Sequence, residues 1–356
     1  MLKYQEIANT LRSQIQSNTF KETEKLPTEQ ALCQEFEASR QTIRHALSVL
    51  VQEGLIERLQ GSGSRLRNQA QPLPPPQRSI AVITTYISDY IFPSILREVE
   101  TVLSKNNCTT MLYATQNQVV NERHVLKGLL GLPKLDGILV EGTKTALPNP
   151  NLDLYRKLMD RKIPLVFING NYRELTGAIS VLDDNYNGGY QLVKYLVAKG
   201  HTHICGMFKS DDIQGHQRYA GYAAALLDTG LPMEDRQLYW YNTETKEALA
   251  KGDALYIEQM LAATKGCTAV VCYNDEIASY LLPALLNRGV KVPDNMAIVS
   301  FDNSRYSDVS PVTITSLSHG DQNVGRLAAE ILIKLLAGEQ CDSQLAPWTL
   351  MEKGSS

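Results

Sequence analysis

At 356 residues the chain is long enough for two or three compact units with real interiors. A hydrophobic share of 43% and a charged share of 21% are globular values, and no run approaches the roughly 18 apolar residues of a membrane span. The net charge of −3 excludes a chain that is basic throughout, so any contact with nucleic acid must be local. The six cysteines (Cys33, Cys108, Cys205, Cys267, Cys272, Cys341) form no CxxC pair, which fits reduced thiols better than a disulfide framework. The first residues carry no apolar signal core, so the expectation is a cytoplasmic protein with no membrane partner.

Tyr4 to Ile15 has apolar residues at 4, 7, 8, 11 and 15, the spacing of a helix. Leu26-Pro27-Thr28-Glu29 starts a second helix, with Ala31, Leu32 and Phe36 on its buried face. A turn at Glu37-Ala38 leads to Ser39–Leu50. On a third helix, Ile43, Ala46, Leu47 and Leu50 fall on one side and Gln41, Arg44, His45 and Ser48 on the other, with Arg40 at the leading end. Ser39 is the N-cap, and Thr42 three residues on leaves it without a capping box. Arginine and glutamine at the leading end of such a helix are the groups that read base edges in a major groove.

Between Ala38 and Arg67, five basic residues (Arg40, Arg44, Arg58, Arg65, Arg67) face two acids (Glu53, Glu57), a local patch of +3. Gly54 ends the helix, Leu55–Gln60 alternates imperfectly like a strand, and Gly61-Ser62-Gly63 turns the chain before Ser64-Arg65-Leu66 returns. That glycine loop lacks the third glycine of a dinucleotide fingerprint and the lysine of a P-loop, so it is not read as a phosphate cradle. The order describes an α+β winged helix-turn-helix.

Leu26-Pro27-Thr28-Glu29, Ser39–Arg44, Gly54-Leu55-Ile56 and Gln60–Gly63 resemble the DNA-binding domain of the GntR family, over about residues 2–67. The resemblance implies a recognition helix in the major groove and a wing tip over the minor groove. By position, Arg40, Gln41, Thr42 and Arg44 would contact bases and phosphates. Gln60, Gly61 and Gly63 would form the wing tip, and Tyr4 and Arg65 would reach phosphates.

The domain order expected is therefore a DNA-binding head over 1–68, a linker over 69–78 and a larger domain over 79–356. Gln69–Gln77 carries four prolines at 72, 74, 75 and 76 and cannot be helix or sheet interior. As a polyproline spacer it would reach on the order of 3.1 Å per residue.

From Ser79 onward, short apolar runs alternate with helical stretches. One round runs from Ser79–Thr84 to Pro164–Ile168, and a second is expected to begin at Ile179–Leu182 and continue to Ala297–Phe301. Fully apolar strands in βα units mean parallel sheets buried on both faces. Two rounds suggest two doubly wound α/β lobes with a ligand between the strand ends. Polar residues stand at those ends: Tyr86, Asp89 and Tyr90; Glu141 and Lys144; Asn169; Asp183 and Asp184; Asp211 and Asp212; Asn274 and Asp275; Asp302 and Asn303; His319. Carboxylates and amides that accept hydroxyl hydrogens, a forked arginine and tyrosine faces suit a polyhydroxyl ligand.

Gln217–Tyr222, Gly200–Ile204, Tyr273–Ala278 and Val299–Asn303 resemble the sugar-sensing domain of the LacI family, over roughly 79–350, which implies a periplasmic-binding-protein-like fold. A GntR-type head on this core, with Thr84–Pro93 and Phe208–Asp212, resembles the bacterial arabinose-operon repressors. The effector this implies is L-arabinose, since the pocket composition by itself says only polyol. By position Arg218 would pair with sugar hydroxyls, joined by Asn169, Asn274, Asp275 and Asp302. His319 would come from a lobe crossover, and Tyr90, Glu141 and Lys144 from the first lobe. The minor-groove hinge helix of LacI proteins has no counterpart in the proline tract, so bending through that wedge is not expected.

The resulting expectation is a sugar-responsive repressor that binds palindromic double-stranded operator DNA as a homodimer, through helices at Phe92–Leu103 and Val119–Leu130. Catalysis is not expected: Asp183/Asp184 and Asp211/Asp212 are adjacent on strand ends, point to opposite sides and cannot flank one bond. His201 and His203 at i, i+2 do not make a metal site, and no cofactor is expected. A different sugar, or a transport-type sugar binder, would use the same pocket. The head and the missing signal core weigh against transport.

Overall fold

The computed structural model describes residues 3–16, 26–53, 55–59, 63–66, 77–320 and 323–356. The chain divides into two compact units, Met1–Pro76 and Gln77–Ser356.

In the first unit, α1 (Lys3–Gln16), α2 (Glu29–Glu35) and α3 (Arg40–Gln52) precede an antiparallel pair, β1 (Ile56–Leu59) and β2 (Gly63–Leu66). Local chemistry starts the helices: Thr28 Oγ1 accepts from the Ala31 amide at 3.2 Å, and Ser39 Oγ from the Thr42 amide at 3.2 Å. Ile43, Ala46, Leu47 and Leu50 are buried with Ile7, Ala8, Leu11, Leu26 and Leu32, the face expected from the periodicity. The Leu26 amide donates to the Ser64 carbonyl at 2.9 Å and ties the entry of α2 to the wing.

The second unit begins with β3 (Arg78–Thr84), one residue inside the stretch assigned to the linker, whose other residues lie almost wholly outside the described ones. There follow α4 (Phe92–Lys105), β4 (Cys108–Ala114), α5 (Val119–Leu130), β5 (Gly137–Val140), α6 (Leu152–Asp160), β6 (Leu165–Ile168) and β7 (Ile179–Asp183). Then come α7 (Asn185–Ala198), β8 (Ile204–Lys209), α8 (Ile213–Asp228), β9 (Leu238–Tyr241), α9 (Thr243–Ala250), α10 (Ala254–Ala263), β10 (Ala269–Cys272) and α11 (Asp275–Leu286). The chain ends with β11 (Ala297–Phe301), α12 (Arg305–Val309), β12 (Thr315–Ser318), α13 (Val324–Leu336), β13 (Gln344–Ala346) and β14 (Thr349–Met351).

Among the described residues these strands form two six-stranded sheets, ordered β13-β7-β6-β5-β3-β4 and β14-β12-β11-β10-β8-β9. All neighbours are parallel except β12 and β14. The two doubly wound lobes are as expected, but one boundary is not. Ile179 does not open the second round: β7 pairs with β6, Val166 opposite Ile179, and belongs to the first sheet, between β6 and β13. An apolar strand buried on both faces looks the same whichever sheet receives it, so periodicity could not place it.

The chain crosses between lobes three times among the described residues: after Asp183, after Ser318, and between Ala346 and Thr349. The second crossing returns α13 to the first lobe, where Val324, Ala328 and Leu332 pack with Ile95, Val99 and Leu103 of α4. In each sheet the strand order reverses beside the first strand of the lobe, at β3/β5 and at β8/β10. The strand ends there open a crevice, the place where doubly wound sheets bind ligands.

Candidate functional site

The head presents its candidates at the start of α3. Arg40 and Gln41 are exposed, and Thr42 Oγ1 lies 2.8 Å from Ser39 Oγ within the cap. Arg44 is exposed, and its Nε donates to Glu29 Oε2 on α2 at 2.9 Å. An exposed ion pair contributes about 0–1 kcal/mol, so a phosphate or a guanine edge can take Glu29's place at little cost. Tyr4 stacks on His45 with ring centroids 4.0 Å apart, bracing α3 from α1. Arg65 stands opposite Glu57 in the wing, with its Nε buried and without a hydrogen-bond partner among the described residues. Gly63 opens β2, while Gln60 and Gly61 lie outside the described residues.

The second site is the crevice between the lobes, about 70 Å³, on the order of five times the space one water needs. It is lined by Tyr90, Glu141, Asn169, Arg218, Asn274 and Asp302 from the expected set. Three of these, Tyr90, Asn169 and Asp302, have positive φ (53°, 64° and 89°). For bulky side chains that conformation costs energy and aims the side chain away from the strand direction.

Glu141 ends β5. It accepts from the Thr85 amide at 2.8 Å, from Thr85 Oγ1 at 2.5 Å and from Asn169 Nδ2 at 3.0 Å. Burial raises its pKa, and these donors only partly offset the rise. Arg218, on α8, is buried against the Phe301 and Tyr273 rings at 4.1 and 4.7 Å. Its Nε donates to Asn185 Oδ1 at 2.8 Å and its Nη1 to the Tyr273 carbonyl. Nη2 lies 3.3 Å from Asp302 Oδ1 and 3.5 Å from Asp183 Oδ2. One N–H of Nη1 is left over, so most of the guanidinium orders the crevice wall. Asp302 closes that wall by accepting from Tyr90 Oη, of the other lobe, at 2.7 Å. Burial lifts the Asp302 pKa even with Arg218 opposing. Asn274 caps α11 with its Oδ1, which receives the Ile277 amide at 3.0 Å, and so leaves its amide nitrogen for the crevice.

Three expected residues stand outside this lining. Asp275 is fully buried behind it, accepting from the Ser304 amide at 2.6 Å and from Ser316 Oγ at 2.7 Å. Burial, then the nearby Asp302, push its pKa up to about 7. His319 stands at the second lobe crossing and lines a larger hollow of about 850 Å³, which shares Tyr90, Ile91, Asn169 and Asp302 with the crevice. Lys144 pairs instead with Glu244 at 2.6 Å.

Residues not singled out as ligand contacts also line the crevice: Tyr86, Lys209, Gln214, Tyr241, Lys246, Tyr273 and Glu276. Lys209 had a readable signal, a cation closing an apolar strand. Gln214 and Lys246 lie on helices, where nothing in the local pattern marks them. Asp211 and Asp212 do not point to opposite sides. The strand ends at Lys209, its alternation ends with it, and both carboxylates turn to that ammonium. Among the described residues no group of three or more His, Cys, Asp or Glu side chains could hold a metal ion.

Residues 3–66 match the family described as bacterial regulatory proteins, gntR family, and residues 193–356 match the periplasmic binding protein-like domain. The chain is 35% identical over 344 residues to the arabinose metabolism transcriptional repressor of Halalkalibacterium halodurans, covering 96% of this chain and 91% of the relative. It is 36% identical over 343 residues to the protein of the same name from Geobacillus stearothermophilus, covering 96% and 93%. Among solved structures, the transcription regulator CcpA of Lactococcus lactis superposes with a TM-score of 0.68 at 25% identity, over 79% of this chain and 99% of that one.

Proposed function

The chain belongs to the family of arabinose metabolism transcriptional repressors, and from that premise we propose that it holds its operator as a homodimer until L-arabinose enters the crevice. It is a sugar-responsive transcriptional repressor with a DNA-binding head and a sugar-binding core. One observation supports the ligand assignment above the others: neutral and charged hydrogen-bonding groups from both lobes (Glu141 and Asn169, Arg218, Asn274 and Asp302) converge beside tyrosine faces in one crevice. Carboxylates and amides take hydroxyl hydrogens, and the tyrosines cover sugar C–H groups.

Sugar between the lobes favours a closed arrangement, which sets the two heads of the dimer at a spacing or angle that the palindromic operator does not match. Release follows, and by linkage the operator weakens sugar binding by the same factor. The sugar is the one small molecule this switch requires, with no cofactor, metal or catalytic step. Helices α4 and α5 carry the dimer contact, and the repressor works in the cytoplasm, where its DNA is.

Thermal unfolding of the full chain with L-arabinose, D-xylose, D-galactose, D-ribose and a sugar phosphate tests the assignment. Ligand at about 100 times its dissociation constant adds roughly 2.7 kcal/mol. A rise with L-arabinose alone supports the effector. A rise with another sugar moves the specificity and keeps the architecture.

A further inference from the structure

The loop that follows Glu141 carries a set of inter-lobe contacts separate from the three crossings. Lys144 Nζ, from the first lobe, lies 2.6 Å from Glu244 Oε1 and 3.8 Å from Asp211 Oδ2 of the second. Around this pair the backbones of the two lobes are joined directly. The Ala146 amide donates to the Asp211 carbonyl at 3.2 Å, and the Ile213 amide donates to Thr145 Oγ1 at 3.0 Å. Asn117 works on both sides at once: its Oδ1 receives the Lys144 amide at 2.8 Å, and its Nδ2 donates to Thr243 Oγ1 at 2.6 Å.

The loop is built for this position. The amide of Thr143 donates to Tyr172 Oη at 2.7 Å, and Tyr172 donates in turn to the fully buried Glu122 at 2.7 Å. A Cβ added to Gly142 or Gly170 would meet Thr145 at 2.7 or 2.9 Å, so glycine at both positions lets Thr145 seat. Lys144 itself has φ +46°, a conformation that turns its side chain across the lobe boundary. The contact also reaches the crevice, because Asp211 lies 3.5 Å from Lys209, and Lys209 pairs with Asp212; both of these line the crevice.

We propose that Lys144 is a positioning residue of the effector switch, a latch that holds the rim of the sugar crevice shut by bridging to Glu244 and Asp211. This rests on the reading of the crevice as the sugar site. Sugar hydroxyls at Lys209 and Asp212 settle the far side of the latch, so occupancy of the crevice and closure of the rim reinforce each other. Lys144 thus sets the sugar concentration at which the repressor lets go without touching the sugar.

Amide hydrogen exchange at Ala146 and Ile213 in the full chain reads the latch directly, because both amides are bonded across the rim. In sugar-free Lys144→Met both should exchange faster than in the wild type, while the Val270 amide, in the middle of the second sheet, is unchanged and shows the fold intact. L-arabinose should bind about two- to fivefold more weakly, the upper range of an exposed ion pair. Operator affinity without sugar should rise slightly and should not fall, because the latch favours the arrangement that releases the operator. Glu244→Gln should repeat the effect more weakly, and the double variant should fall short of the sum. Raising ionic strength should weaken sugar binding in the wild type more than in Lys144→Met. Equal exchange at Ala146 and Ile213 in sugar-free wild type and Lys144→Met overturns the latch. If the wild type fails to respond to L-arabinose, the effector reading falls, and the sugar-free comparison still decides the latch.

Discussion

Asp183 Oδ1 lies 3.0 Å from His319 Nε2, and the two residues sit on different crossings of the chain between the lobes. Trp348, at the third crossing, stacks on the same imidazole with ring centroids 3.8 Å apart. The hinge of the core is therefore stitched at one point. Burial disfavours the imidazolium, yet Asp183 raises the His319 pKa overall. Burial likewise opposes the Asp183 carboxylate, yet His319 and Arg218 hold its pKa below the usual value.

A pH dependence follows from these directions. The stability that His319 contributes is fully present below its unfolded pKa of about 6.5 and is lost as pH rises through its raised folded value. That of Asp183 is present above its unfolded pKa of about 3.9 and is lost as pH falls through its lowered folded value. The pair is at full strength between those two unfolded values. His319→Leu, which has no donor, leaves the buried Asp183 Oδ1 short of a partner, a cost of about 1–3 kcal/mol. Thermal unfolding should show that cost at about pH 5.5 and a smaller one at about pH 9. An equal cost at both places the strength of the hinge elsewhere.

Arg218 separates two buried carboxylates, Asp183 and Asp302, lying 3.5 and 3.3 Å from them. Arg218→Met leaves Asp302 without a counter-ion and Asp183 with His319 alone, and should cost about 3–5 kcal/mol of stability in the core. The response to sugar should vanish, while the head keeps its affinity for the operator. Fluorescence anisotropy with labelled operator, with and without sugar, checks both statements. A variant still released by sugar takes Arg218 out of the switch.

Arg44 holds an exposed pair with Glu29, so Arg44→Ala should change thermal stability by less than about 1 kcal/mol. Operator affinity should fall by about 1–3 kcal/mol if the guanidinium makes a bidentate contact with a guanine. Sugar affinity, measured by calorimetry, should not move. Undiminished operator binding removes Arg44 from the reading face.

The sequence made some of this legible and left some hidden, for physical reasons. Ile43, Ala46, Leu47 and Leu50 were readable because a helix on a small core must bury one stripe, and Ser39 because a helix start leaves amides to be capped. The doubly wound lobes were readable from apolar strands alternating with helices. Which lobe received Ile179–Asp183 was not, because sheet membership is decided by pairing partners far along the chain. The same limit hid the roles of Asp275 and Lys144. Both follow strand ends, as ligand contacts do, but Asp275 turns inward to Ser304 and Ser316, and Lys144 turns across the rim to Glu244. Position at a strand end marks the neighbourhood of a site, and the side chain's partner decides its part in it.

The measurement that bears most directly on the account is the affinity of the full chain for an operator duplex, recovered by selection from random DNA, as L-arabinose is titrated in. A coupling of 1–3 kcal/mol is typical of such switches, so saturating L-arabinose should weaken operator binding about 5–150-fold. Calorimetry should find sugar binding weakened by the same factor when the operator is bound. An operator affinity that stays constant at saturating L-arabinose contradicts the account.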